Sequence, residues 1–101
     1  METLNIENIE EIRRREGIDD VELRAEIRAL KIGDVVKLTV LTGATSFEYL
    51  LVRITGIKGA AFRGVLARNP HTSILSNLRA GSPIEFTAAQ IHSLPRREEQ
   101  T

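Results

Sequence analysis

The chain has 101 residues, of which 14 are basic and 14 acidic, with two histidines and no cysteine. That length predicts one domain burying roughly 60–65% of its unfolded surface, and the missing cysteine excludes a disulfide framework and thiolate metal sites. No apolar run approaches the ~18 residues of a spanning helix, and the acidic start at Glu2, Glu7 and Glu10 is the opposite of a basic secretory leader, so a cytoplasmic protein that does not enter a membrane is expected.

Neutrality overall hides a segregation. Residues 1–30 carry nine acids against five bases, whereas 31–95 carry three acids (Asp34, Glu48, Glu85) against seven bases. The switch coincides with a change from helix-period apolar spacing to β-branched runs. The sequence therefore predicts a single domain over 1–95, made of an acidic helical arm (1–30) and a basic β module (31–95), with a disordered tail at 96–101.

In the arm, Ile6, Ile9 and Ile12 recur every three residues and Gly17 follows, which predicts a short amphipathic helix over Asn5 to Glu16 with a glycine beyond its C-terminus. Asp19 or Asp20 then offers an N-cap, and Leu23, Ile27 and Leu30 supply the apolar stripe of a second helix. Glutamates and arginines interleave at three- and four-residue spacings, as on a solvated face. The Arg13-Arg14-Arg15 run reads the same way, because acids surround it.

Lys31-Ile32-Gly33-Asp34 predicts a turn into a first strand, Val35 to Leu41, with Val36, Leu38 and Val40 facing the core. A second strand follows over Phe47 to Ile54. It places Glu48, Leu50, Val52 and Ile54 on one side and Phe47, Tyr49, Leu51 and Arg53 on the other, so both sides are largely apolar. A sheet with one wet face should alternate more cleanly. The helix pair is therefore expected to cover Phe47, Tyr49 and Leu51, with a second subunit as the other candidate cover.

Ile57-Lys58-Gly59-Ala60 predicts a hairpin into a third strand ending near Ala67, with Gly64 at a bulge or bend. Asn69-Pro70 marks a turn, Ile84 to Thr87 a fourth strand, and Ala88 to Leu94 either a helical turn or a last short strand. The fold class is α+β: two N-terminal helices packed on a strongly bent antiparallel sheet or a small SH3-like barrel of four to five strands.

From Tyr49 to Leu94 the chain resembles an uncharacterised bacterial family of small domains of unknown function. The resemblance rests on Tyr49-Leu50-Leu51-Val52-Arg53-Ile54-Thr55, then Phe62-x-Gly64-x-Leu66, Asn69-Pro70, Leu78-x-Ala80-Gly81, Ile84-x-Phe86 and Ile91-His92. Tyr49-Leu50 stands where that family usually has Trp, and Gly81-Ser82 where it often has Gly-Asp. The resemblance implies a binding or regulatory module with a protein partner, some such domains lying near toxin and immunity loci.

No motif carries catalysis. His71 and His92 lack cysteines or nearby carboxylates, so neither a metal site nor an acid/base pair is expected. Thr72, Ser73 and Ser76 have no base placed by sequence, and Gly56, Gly59 and Gly64 fall between strands rather than in a dinucleotide-binding turn. The expectation is a non-enzymatic binding module without cofactor, whose partner is a protein met through Arg53, Lys58, Arg63 and Arg68. The alternative is a small β-barrel binding RNA or single-stranded DNA. A homodimer is compatible with either. The two classes differ in the fate of Phe47 and Tyr49, buried under the helices in the first and exposed beside cations in the second.

Overall fold

A computed structural model describes residues 4–95, so the expected tail at 96–101 lies outside the described residues. Two side-chain caps start the two helices: Asn8 accepts the Glu11 N–H and opens α1 (Ile9–Arg15), and Asp20 accepts the Leu23 N–H and opens α2 (Val21–Arg28). Gly17, at φ 73°, turns the chain out of α1 as expected. The first helix starts later than its isoleucine spacing predicts. Ile6 bridges Val40, with the Glu7 N–H donating to the Thr39 carbonyl and the Leu41 N–H to that of Asn5. An open stretch of strand edge offers these backbone groups partners, and that outweighs one more helical turn.

Five antiparallel strands follow: β1 (Val35–Leu41), β2 (Phe47–Lys58), β3 (Ala61–Leu66), β4 (Pro83–Thr87) and β5 (Ile91–Ser93). Their order is β4-β3-β2-β1-β5, a four-strand meander of β1 to β4 with the fifth strand, β5, returning to β1. The sheet is not closed, because β4 and β5 form its two edges. The stretch Ala88 to Leu94 satisfies both of its readings, a 3-10 turn at Ala88–Gln90 and then β5.

Strand β2 runs four residues beyond its expected end. It pairs with β1 along its first half and with β3 along its second, and its register shifts between Ile54 and Gly56. The bulge therefore lies on β2, and Gly64 is its partner across the ladder. A side chain at Gly64 would enter a Val52 methyl and come within 2.5 Å of the Arg53 carbonyl oxygen. Beyond the bulge, Gly59-Ala60 closes a two-residue hairpin with positive φ at Gly59 alone, the pattern of a type II′ turn.

The core lies on one side of the sheet. Val36, Leu38 and Val40 from β1 meet Leu50, Val52 and Ile54 from β2, with Leu66, Ile84 and Ile91, while Phe62 and Phe86 stack across β3 and β4 at 5.3 Å. Ile27 and Leu30 pack against this same cluster, and α1 rests on the 3-10 turn before β5. This corrects the expected docking: the helices cover the core side, and Phe47 and Tyr49 on the other side stay exposed. The physical reason is supply, since the open core needs apolar cover more than a face carrying Lys37 and Arg53 does.

Candidate functional site

Because alternate residues of β1 and β2 are consumed by the core, their neighbours form an outer face. The register sets Thr39 opposite Tyr49, Lys37 opposite Leu51 and Val35 opposite Arg53. Tyr49 is the hub. Phe47 meets it edge-on with ring centroids 5.2 Å apart, His92 from β5 lies tilted against it at 5.1 Å, and the Lys37 Nζ sits 5.1 Å from its ring centre. Phe47 is 53% and Tyr49 40% exposed. Burying an aromatic side chain fully is worth about 1.5–3 kcal/mol, and here the fold leaves much of that unused.

Cations continue the face. Arg53 is flanked by Val35 on β1 and Val65 on β3, and its Nη1 donates to the Gly33 carbonyl at 3.5 Å. Past the bulge, Lys58 pairs with Ala61, and Arg63 with Gly56 and Glu85. The pleat puts both beside Arg53 on the outer face, since Phe62 and Gly64 point to the core. The Arg63 Nε stands 3.9 Å from the Glu85 Oε1, with both side chains about four-fifths exposed, a pairing too solvated to neutralise the arginine. A hollow of about 660 Å³ lined by Lys58, Arg63, Glu85 and Gln90 among others adjoins this end. Of the four arginines and lysines expected from sequence, Arg53, Lys58 and Arg63 are brought together. Arg68 lies two residues past the end of β3, off the ladder. Sequence reasoning missed Lys37 and His92. Lys37 was legible from its alternation with Val36 and Leu38, but its approach to Tyr49 required the register of β1 on β2.

The remaining acids of the β module are used elsewhere. The Asp34 carboxylate accepts the Lys31 N–H in the turn before β1. The Glu48 carboxylate accepts the backbone N–H groups of His71 at 2.6 Å and Thr72 at 2.8 Å, tying the loop after β3 to the start of β2. Burial pushes the Glu48 carboxyl up, but the hydrogen bonds from the Thr72 side chain and from both backbone groups outweigh it and hold the pKa below the ordinary glutamate value. His71 is thus a loop residue and His92 a member of the ring cluster. Among the described residues no three His, Cys, Asp or Glu side chains are grouped to hold a metal ion, and no helix is long and apolar enough to cross a membrane. Comparison of the chain with protein-family models, curated proteins and solved structures finds no match.

Proposed function

We propose that this protein is a non-enzymatic binding module that takes a negatively charged partner on the outer face of its sheet. The observation that carries the reading is the exposure of Phe47 and Tyr49 on a face that also bears Lys37, Arg53, Lys58 and Arg63, with Glu85 as its acid. The acidic arm packs on the opposite, core side through Ile27 and Leu30. Segregated charge steers an anionic partner to one side, and exposed rings provide apolar contact once it arrives. An acidic protein segment and a single-stranded nucleic acid both meet these demands, and they differ in whether flat groups must be stacked. We also read the sheet as a partly open SH3-like barrel, which the meander, the return of β5 to β1 and the bulge opposite Gly64 support.

Retention on immobilised heparin, a polyanion with neither bases nor peptide, tests the charge reading. The double variant Arg53→Glu/Arg63→Glu is expected to lose retention at ~50 mM salt. Arg14→Glu/Arg24→Glu, which alters net charge equally through two ion-paired arginines of the arm, is expected to keep it. A native protein that flows through, or equal loss in both variants, would overturn the assignment.

A further inference from the structure

Resting on the reading of the outer face as an anion-binding surface, we infer that its ligand is single-stranded nucleic acid, held by base stacking on Phe47 and Tyr49 and by phosphate contacts to the cations around them. Two features of the face point there. Phe47, Tyr49 and His92 form one ring cluster, and cations border it. Phe47 and Tyr49 occupy outward positions of β2, with Lys37 5.1 Å from the Tyr49 ring centre and Arg53 four residues along the strand. Aromatic faces interleaved with basic side chains are what unpaired bases on a phosphate backbone require.

The second feature is reach. From Phe47 to Arg53 the strand advances about 20 Å at ~3.3 Å per residue, and Lys58 and Arg63 continue the line past the bulge. That length suits a footprint on the order of four nucleotides, the lower end for small β-barrels. A duplex would use the cations alone, because its bases are stacked inward and cannot reach the rings. With three to four phosphates neutralised, the slope of log affinity against log salt is about −2 to −3.

Fluorescence anisotropy with labelled single-stranded RNA and DNA of about 12 nucleotides, and with a duplex of equal length, tests this at ~50 and ~200 mM salt. The expected result is binding that falls roughly twenty- to fifty-fold across that range and favours single strands over the duplex. Phe47→Leu/Tyr49→Leu keeps apolar bulk at two exposed positions but removes the stacking faces, so a loss of about 5-fold or more per ring is expected. Phe47→Tyr/Tyr49→Phe should bind as the native chain does. Thermal melts of the variants verify that each is folded.

Single strands bound no better than the duplex, or undiminished by the leucine pair, overturn the nucleic-acid inference. If heparin retention still depends on Arg53 and Arg63, the anionic-partner reading stands and an acidic protein becomes the ligand. If heparin retention is absent as well, both readings fall together.

Discussion

Replacing Gly64 by alanine perturbs the ladder where β3 passes the bulge of β2. The new Cβ would lie 2.5 Å from the Arg53 carbonyl oxygen and 3.1 Å from its carbonyl carbon, besides entering Val52. The obstacle is backbone held in the β2–β3 ladder, so relief requires the two strands to part. Overpacking of this kind costs about 1–3 kcal/mol, and the fixed backbone puts the cost near the top of that range. Alanine's lower unfolded-chain entropy returns about 0.4–1 kcal/mol, leaving a net loss of about 2 kcal/mol. For a domain of this size that lowers Tm by about 8–16 °C, read by circular dichroism. Gly56 is the matched control, because a Cβ there would meet only the Arg63 Cβ at 3.8 Å, an ordinary contact. Gly56→Ala is expected to leave Tm within about 4 °C. A Gly64→Ala protein that melts with the native one, or a Gly56→Ala protein that falls as far, would refute the close strand approach at Gly64 as its cause.

Thr39, opposite Tyr49 in the ladder, is 4% exposed, and its Oγ1 is buried without a hydrogen-bond partner. Thr39→Val should therefore stabilise by about 1 kcal/mol, and a lower Tm would show that the hydroxyl is satisfied. The Glu48 carboxyl titrates below its ordinary value, so its hold on the loop is complete above the unfolded glutamate pKa of about 4.3 and is lost as pH falls through the lower folded one. The His71 and Thr72 amide resonances should move with a midpoint below about 4.3 and stop titrating in Glu48→Gln. A midpoint at or above that value would contradict the clasp.

The core was legible because the β signal is simple. Val36, Leu38 and Val40, and Leu50, Val52 and Ile54, alternate in sequence and are all buried. Gly59 announced a hairpin and Gly64 an irregular ladder, though the bulge lies across from it on β2, and of Asp19 and Asp20 the second is the cap. Two things were not legible. Ile6 has helical spacing to Ile9, yet backbone groups left open on β1 draw it into a bridge with Val40, a choice that depends on where β5 begins. The apolar second side of β2 reads as a face needing cover, and sequence alone does not show that the helices' own apolar residues are claimed by the open core. The candidate site follows from that outcome: Arg53, Lys58 and Arg63 were visible as cations, whereas Lys37 and His92 join them through strand register.

The working surface proposed for this protein is the outer face and not the arm. Titrating the ¹⁵N-labelled protein with a single-stranded oligonucleotide and following amide shifts tests it residue by residue. Perturbations are expected at Lys37, Phe47 to Arg53, Lys58 to Arg63 and His92, with α2 unmoved and α1 touched only where Arg13 donates to the His92 carbonyl. Shifts centred on Arg13 to Arg15, or none at all at ~50 mM salt, would contradict it.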